Sequence, residues 1–158
     1  MSIPVQRLNT FQACQKVKAE TGFRSGLEVV IVESLDSQNC PYLYEAVQIP
    51  YDNPSIYLPD FVLEAQAIVV EGKGEFKTED RRKILLVKRQ YPDLDLRIVF
   101  SHSATRIGKR SKTTYAMWCE KQGIPYADKV VPPEWVEHIP TEKQKEALSR
   151  LMGKQNGS

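Results

Sequence analysis

The chain contains 158 residues, of which 41% are hydrophobic and 27% charged, and it carries a net charge of +2. These proportions are typical of one soluble globular domain, and no apolar run approaches the ~20 residues of a membrane helix. The opening residues, MSIPVQRLNT, lack the basic and then apolar pattern of a secretion signal. We therefore expect a cytoplasmic protein with no membrane partner.

The first part of the chain predicts an arm followed by a helix. Residues 1–22 are polar and weakly patterned, and we interpret them as an N-terminal arm. Residues 25–38 then predict a helix, since Ser25 and Glu28 fit a capping box and apolar residues recur at helical spacing. The residues on that face are Leu27, Val30, Ile31, Ser34 and Leu35.

The remaining elements alternate between strand and helix patterns. Thr78 is the predicted N-cap of the second helix, Gly123 the predicted stop of the third and Thr141 the predicted cap of a last short helix. The predicted elements are strands at 42–49, 56–63 and 67–72, a helix at 78–91, a strand at 95–101 and a helix at 112–122. The order α, β, β, β, α, β predicts an α/β domain with a mixed sheet.

Positive charge is concentrated in one stretch. Residues 73–112 contain twelve Lys or Arg and five Asp or Glu, a local charge of +7, whereas the rest contains ten basic and fifteen acidic residues, a local charge of −5. A polyanion-binding face requires such a concentration. A solvated helix and a charged loop would explain it equally well.

The cysteines and histidines indicate no metal centre of their own. Cys14, Cys40 and Cys119 lie far apart and form no CxxC pair, which argues against a zinc site and against a disulfide framework. His102 and His138 also lie outside any metal-ligand spacing. We interpret the three thiols as reduced and packed.

The stretch from Ile56 to Gly74 contains the pattern that carries chemistry. Glu71 and Lys73 follow an apolar run and point to one face of a strand, because side chains alternate along strands. A hairpin centred on Ala65 and Gln66 would place Asp60 opposite Glu71, with Cβ atoms ~5 Å apart. A divalent cation such as Mg²⁺ would make two such close carboxylates tolerable.

This pattern predicts phosphodiester hydrolysis. A metal polarises the phosphate and lowers the pKa of a bound water, and Lys73 could position that water or offset charge in the transition state. Gly72 and Gly74 would leave room for a DNA backbone. A salt-bridged strand end preceded by a Pro-Asp turn is the alternative for so short a pattern. Glu28 is a third carboxylate, which the capping box alone would also explain.

Seven blocks that occur in one order along the chain are more specific. They are FRSGLE (23–28), YLPDF (57–61), VEGKG (70–74), EDRRK (79–83), LDLRIVFS (94–101), WCEKQGI (118–124) and YADKVVPPEW (126–135). Together they resemble the endonuclease I family of T-seven-like phages, Holliday-junction resolvases with a PD-(D/E)xK nuclease fold. The resemblance covers about residues 22–137 and implies a phage protein in the cytoplasm of a bacterial host.

The resemblance also implies a set of site residues. Carried over by position, the catalytic set is Glu28, Asp60, Glu71 and Lys73. The implied metal ligands are Asp60, Glu71 and the backbone carbonyl of Gly72, with Glu28 helping to hold the second of two Mg²⁺ ions, for which Mn²⁺ can substitute. The family is an intertwined homodimer in which the helix glutamate comes from one chain and the other three residues from its partner.

Two features differ from the family pattern. The segment between Tyr51 and Asp60 is shorter than the family's bridge, which is the part that exchanges chains. The N-terminal arm and everything after His138 show no convincing match. We therefore divide the chain into an arm at 1–22, a nuclease domain at 23–138 and a C-terminal tail at 139–158.

Three functions are compatible with these observations. The first is a metal-dependent nuclease selective for branched DNA, and the second is a sequence-specific or repair-type nuclease with the same chemistry. The third is a catalytically inactive DNA-binding module. Selectivity for DNA shape needs backbone contacts rather than base contacts. The basic residues we expect to contact phosphates are Arg24, Lys77, Arg81, Arg82, Lys83, Arg106, Lys109 and Arg110.

Overall fold

A computed structural model describes residues 26–51 and 55–156 of the chain. Its strands are β1 (Leu43–Tyr44), β2 (Ile49–Tyr51), β3 (Ser55–Tyr57), β4 (Phe61–Leu63), β5 (Ile68–Lys73), β6 (Asp95–Phe100) and β7 (Tyr126–Asp128). Its helices are α1 (Gly26–Ser37), α2 (Thr78–Gln90), α3 (Tyr115–Gln122), α4 (Pro133–Val136) and α5 (Glu142–Asn156).

The strands form two sheets. The larger has five strands in the order β1-β4-β5-β6-β7, and the smaller is the β2-β3 pair. The β1-β4 and β4-β5 pairs are antiparallel, whereas the β5-β6 and β6-β7 pairs are parallel. The predicted mixed-sheet α/β domain is therefore confirmed. Because these pairs are parallel, the C-terminal ends of β5, β6 and β7 lie on the same side of the sheet, where the strands end.

Each face of the large sheet is covered by its own hydrophobic core. Along β5, Val69 belongs to one core, together with residues of α2, α3 and α5. Its neighbours Ile68 and Val70 belong to the other core, with residues of α1 and α4. This division follows from the alternation of side chains along a strand. By the same alternation, Glu71 and Lys73 lie on the α2 side and Gly72 faces α1.

The register of the β4-β5 hairpin is confirmed. Phe61 pairs with Val70 and Leu63 with Ile68, as a hairpin centred on Ala65 and Gln66 requires. The turn has four residues rather than two, and Ala67 closes it in a left-handed conformation with φ 53°. The backbone N–H of Ala67 donates to the carbonyl of Glu64 at 3.2 Å.

Two of the predicted strands were wrong in extent. The prediction for 42–49 is interrupted after Tyr44, where Glu45 takes a φ of 47° and its N–H donates to the carbonyl of Asp60 at 3.0 Å. The prediction for 56–63 divides into β3 and β4, because strand pairing stops at 58–60. Pro59 lies in that gap and has no N–H to donate to a strand partner.

The helix predictions are confirmed with shifted ends. The first helix lies within one residue of its prediction, with Ile31, Ser34 and Leu35 buried and Leu27 and Val30 half-buried. Ser25, its predicted cap, lies outside the described residues. The third helix begins at Tyr115, not at 112, because its cap is Thr114, whose side chain accepts from the N–H of Met117, and it ends at a left-handed Gly123 as predicted.

The second and last helices differ from their predictions in detail. Thr78 is the first residue of α2 rather than its cap, which is Lys77. Thr141 caps α5 as predicted, since its hydroxyl accepts a hydrogen bond from the N–H of Gln144 at 3.2 Å. That helix has 15 residues and is not short. The three-residue β7 and the four-residue α4 were not predicted.

Candidate active site

The candidate site lies where β5 ends, on the side of the sheet where the C-terminal ends of the parallel strands lie together. Glu71 and Lys73 project from β5 toward α2, and Lys73 Nζ lies 3.1 Å from Glu71 Oε1. Asp60 immediately precedes β4, and the β4-β5 register brings it alongside Glu71. The predicted same-face arrangement of Glu71 and Lys73 is therefore present.

The carboxylate of Glu71 is held inside the protein by two partners. Glu71 is only 6% exposed, so the charged form of its side chain depends on local hydrogen bonds. The Tyr57 hydroxyl donates to Oε2 at 2.7 Å, while Lys73 approaches Oε1. Burial raises the pKa of Glu71, and Lys73 and Tyr57 oppose that rise. The carboxylate is thus fixed in orientation, with each oxygen assigned to a different partner.

The ammonium group of Lys73 lies between two carboxylates. Besides Glu71, it contacts Asp80 Oδ1 at 3.2 Å, and the other oxygen of Asp80 accepts from the backbone N–H of Lys77 at 3.0 Å. Burial by itself would lower the pKa of Lys73, but Glu71 and Asp80 raise it above its usual value. Lys73 is therefore charged, and its position is tied to the first turn of α2.

Asp60 is oriented by the backbone of the strand beside it. The N–H of Gly72 donates to Asp60 Oδ2 at 2.8 Å. Burial and the charge of Glu71 raise the pKa of Asp60 to about 7, Gly72 opposes the rise, and Glu28 adds to it. Two other carboxylates therefore act on Asp60 at this point, and a bound cation would relieve the repulsion.

Glu28 approaches the same region from the other face of the sheet. It lies in the first turn of α1, is 6% exposed, and its Oε2 accepts from the Tyr44 hydroxyl at 2.9 Å. Its charge raises the pKa of Asp60, so the two carboxylates interact. The proposed capping partner, Ser25, lies outside the described residues. A purely capping role would not require Tyr44.

Gly72 has a steric role that was not predicted. A Cβ atom at this position would lie 2.9 Å from Ile31 Cδ1 and 3.6 Å from Leu27 Cδ2, both on α1. The space at Gly72 is therefore filled by a helix, and the predicted room for DNA at this residue was wrong. At Gly74 the nearest such atom is Ser101 Oγ at 3.8 Å, so a Cβ there would make only an ordinary van der Waals contact.

The residues of the site fit a hard divalent cation. Among the described residues, no group of three or more His, Cys, Asp or Glu side chains forms a ready-made metal cluster. Asp60 and Glu71 nevertheless offer carboxylate oxygens, and because burial and the charge of Glu71 raise the pKa of Asp60, a cation beside the pair would favour the charged form. Mg²⁺ commonly binds through one or two carboxylates and keeps several waters.

Two residues of this site were not predicted, and a third was predicted in another role. Tyr57 and Asp80 make the contacts given above, and Lys83 is close enough to lower the pKa of Glu71. The sequence does mark Asp80, because acidic residues are common in the first turn of a helix. That pattern predicts a helix start rather than a contact with a lysine. Lys83 was expected to contact phosphate rather than to influence Glu71.

The basic residues expected to contact DNA fall into different environments. Lys77 is exposed and pairs with Glu75 at 3.4 Å. Arg81 donates to the Phe76 carbonyl and to the Thr78 hydroxyl, so it also helps to fix the start of α2. Arg24 lies outside the described residues. Lys83 is half-buried, and the exposed residues are Arg82, Arg106, Lys109 and Arg110.

The described cysteines and histidines lie apart from these contacts. Cys40 and Cys119 are buried free thiols, and burial raises their pKa values to about 11 and about 12. His138 contacts Gln144 at 3.1 Å, and His102 is exposed. Cys14 lies outside the described residues. Over the described parts of the chain, no helix has the length and apolar character needed to cross a membrane.

Comparisons with known proteins identify the family. A family model described as phage endonuclease I matches residues 9–156. The chain belongs to the phage endonuclease I family. That match extends beyond both ends of the stretch, residues 22–137, on which the sequence resemblance rests.

Two curated relatives agree with this assignment. Endonuclease I of Escherichia phage T7 is 44% identical over 135 residues, which cover 84% of this chain and 90% of that protein. Endodeoxyribonuclease 1 of Enterobacteria phage T3 is 45% identical over 113 residues, which cover 70% of this chain and 74% of that protein. This member of the phage endonuclease I family is therefore a nuclease.

Proposed function

We propose that the protein is a metal-dependent endonuclease that cleaves four-way junctions and other branched DNA. The observation that carries the proposal is the convergence of Asp60, Glu71 and Lys73 at the end of β5. Two carboxylates and a charged lysine beside a strand end are the parts that a PD-(D/E)xK nuclease core requires. Membership of the phage endonuclease I family supports the same reaction.

In the proposed reaction, water attacks the phosphorus of a phosphodiester while the bond to the leaving oxygen breaks. Asp60, Glu71 and the carbonyl of Gly72 would hold Mg²⁺ or Mn²⁺, with Glu28 assisting at a second ion. The metal supplies Lewis acidity and a lower pKa for bound water. Lys73 has two of its three N–H donors directed at Glu71 and Asp80, which leaves one to orient the attacking water or to stabilise a phosphate oxygen.

We also propose that the active form is a homodimer with exchanged segments. Residues 52–54 join β2 to β3, and all of α1 and β1 precede this connection. Asp60, Glu71 and Lys73 all follow it. Exchanging residues up to 51 between two copies would keep each contact of α1 with the sheet and bring Glu28 to the partner's site.

Two such sites in one dimer suit a substrate with two strands to cut. Recognition of branch geometry through phosphate contacts needs no base-specific code. We place its action in the cytoplasm of the bacterial host. A sequence-specific or repair-type nuclease would share the chemistry but would cut linear duplex, whereas the inactive binding module is excluded by membership of a nuclease family.

The deciding experiment compares a four-way junction with its separate linear arms, in Mg²⁺ and in EDTA. We expect cleavage of the junction in Mg²⁺ or Mn²⁺, little cleavage of linear arms and none in EDTA. Equal cleavage of linear arms would favour the sequence-specific nuclease. Full activity in EDTA would contradict the metal mechanism. Binding of the junction without cleavage in any metal would contradict the proposed junction cleavage.

A further inference from the structure

A long loop leaves the sheet directly beside Lys73. We call residues 101–114 the basic loop; it connects β6 to α3. Its first residue, Ser101, donates its backbone N–H to the carbonyl of Lys73 at 3.1 Å. The base of the loop therefore adjoins the residue that ends β5 in the candidate site.

The basic loop is closed on itself by backbone hydrogen bonds. Ile107 donates to the carbonyl of Thr113 at 2.9 Å, and Tyr115 donates to the carbonyl of Thr105 at 2.8 Å. Nearer the base, Ala116 donates to the carbonyl of Ser103 at 2.9 Å. The first bond joins the outgoing and returning parts of the loop, and the other two join its outgoing part to the first residues of α3, so the loop is closed without a ligand.

Asp128 fastens the outgoing part of the loop to the sheet. This residue ends β7 and pairs with Phe100 of β6. Its Oδ1 accepts from the Ser103 backbone N–H at 2.7 Å, and its Oδ2 accepts from the Ser103 hydroxyl at 2.8 Å. Ser103 is 7% exposed whereas Asp128 is exposed, so the two bonds are partly buried at the surface of the protein. An acidic side chain thus holds a loop that contains no acidic residue.

The charge of the basic loop is entirely positive. It carries Arg106, Lys109, Arg110 and Lys112, all exposed, and no Asp or Glu. Within the described residues, no carboxylate lies within ion-pair distance of any of the four. Lys77 and Arg150, in contrast, each pair with a neighbouring glutamate. Four solvated cations on a preformed loop suit a ligand with regularly spaced negative charges.

We propose that the basic loop is a preformed contact surface for the sugar-phosphate backbone of DNA beside the cleaved phosphate, and that Asp128 is the positioning residue that holds it there. The proposal rests on the proposed nuclease function and specifies how its substrate is gripped. Because the loop is already closed, little conformational entropy is lost when the phosphates bind.

The first test removes charge from the tip of the loop. The variant Lys109→Gln/Arg110→Gln/Lys112→Gln is compared with the control Arg89→Gln/Lys121→Gln/Lys143→Gln, which removes three exposed charges outside the loop. Binding to a labelled four-way junction is measured in Ca²⁺ over about 50–200 mM salt. We expect at least about tenfold weaker binding and a log–log salt slope smaller by about 2 to 3 in the loop variant. Equal losses in the two variants would overturn the proposal.

The second test separates the role of Asp128 as a fastener from its negative charge. Asp128→Ala and Asp128→Asn remove the same charge, but asparagine keeps an acceptor for the N–H of Ser103. A purely electrostatic role predicts that both variants bind DNA more tightly than the wild type. We expect weaker binding in Asp128→Ala, by about three- to tenfold, with most of the affinity retained in Asp128→Asn.

Ser103→Ala provides a version of this test without any change of charge. It removes the hydroxyl donor to Asp128 and should weaken binding in the same direction. Thermal melting identifies variants that have failed to fold, and only folded variants are compared. Unchanged or tighter binding in folded Asp128→Ala and Ser103→Ala would overturn the positioning role. If the wild type binds a junction but fails to cut it in Mg²⁺, only the proposed cleavage function fails.

Discussion

The hydroxyl group of Tyr57 donates a 2.7 Å hydrogen bond to Oε2 of Glu71, inside the protein. Tyr57 is 3% exposed, and burial followed by the charge of Glu71 raises its pKa well above the usual value. The hydroxyl therefore keeps its proton and acts only as a donor. This contact fixes one oxygen of Glu71 and leaves the other to Lys73.

Tyr57→Phe should slow cleavage without weakening DNA binding. The ring remains, but Glu71 loses one donor and can turn, which we expect to lower the single-turnover rate about tenfold. Unfolding free energy should fall by about 1–3 kcal/mol because a buried carboxylate loses a partner. Tyr126→Phe is the matched control, since its hydroxyl donates to the exposed Glu120 at 2.7 Å. Equal rate losses in the two variants would contradict the prediction.

Asp80→Asn should affect catalysis, whereas Glu79→Gln should not. Both residues lie in the first turn of α2, so both substitutions remove a favourable interaction with the helix dipole of about 0.3–1 kcal/mol. Asp80 alone contacts Lys73, at 3.2 Å. We expect a cleavage rate about tenfold lower only in Asp80→Asn, with unchanged junction affinity in Ca²⁺. A loss of similar size in Glu79→Gln would mean that the helix start, not Lys73, is responsible.

Asp60→Asn should stabilise the metal-free protein at pH 8. The pKa of Asp60 is raised from 3.8 to about 7, so between these values the folded state binds more protons than the unfolded state. Stability from this group therefore falls as pH rises from about 4 to about 7, by up to about 4 kcal/mol. Asparagine avoids this loss and keeps an acceptor for the N–H of Gly72.

Melting temperatures in EDTA, measured from pH 4 to 8 (about the range over which the linkage acts), check this effect. The advantage of Asp60→Asn should grow with pH and disappear near the acid end. Adding Mg²⁺ at pH 8 should raise the melting temperature of the wild type and leave that of Asp60→Asn little changed. An Mg²⁺ response of equal size in both proteins would remove Asp60 from the ligand set.

Gly72→Ala should destabilise the protein, and Ile31→Val should cost less stability in that background than in the wild type. The added Cβ would lie 2.9 Å from Ile31 Cδ1, the methyl group that valine lacks. We expect a loss of about 1–3 kcal/mol for Gly72→Ala alone. In that background Ile31→Val should cost less than it does in the wild type, as urea unfolding of the four proteins would reveal. Gly74→Ala, with its nearest atom at 3.8 Å, is the control.

Segment exchange predicts activity in a mixture of two inactive proteins. Glu28→Ala and Lys73→Ala homodimers should each be inactive. In a co-expressed heterodimer with exchanged segments, one site receives both substitutions and the other receives neither, so the junction should be nicked in one strand with few paired cuts. Sites built within single chains would each carry one lesion. An inactive heterodimer, verified by two different affinity tags, would therefore argue against exchange.

The sequence predicted the register of the site better than its contacts. Alternation along β5 put Glu71 and Lys73 on one face, and hairpin pairing placed Asp60 beside them, because both follow from the period of a strand. Tyr57 was missed because it lies before the break at Pro59, where pairing from β4 no longer specifies position. Asp80 was missed because the helical pattern predicts which face of α2 a residue lies on. It does not predict which side chain of a neighbouring strand that residue contacts.

The interrupted strands show where local pattern is insufficient. Residues 42–49 alternate well enough for a strand, but Glu45 takes a left-handed conformation to donate to the carbonyl of Asp60. That bond joins residues that are distant in sequence, so no window around Glu45 contains its cause. The short β7 was missed for the same reason. Its three residues form a strand because they pair with β6, which is distant in sequence.

The two strands at the edges of the large sheet are short. β1 has two residues and β7 has three, whereas the central β5 and β6 each have six. An edge of this length offers few free backbone groups to an incoming strand, so edge-to-edge polymerisation is disfavoured. Association of two copies of this nuclease through either of these strands would therefore gain few backbone hydrogen bonds.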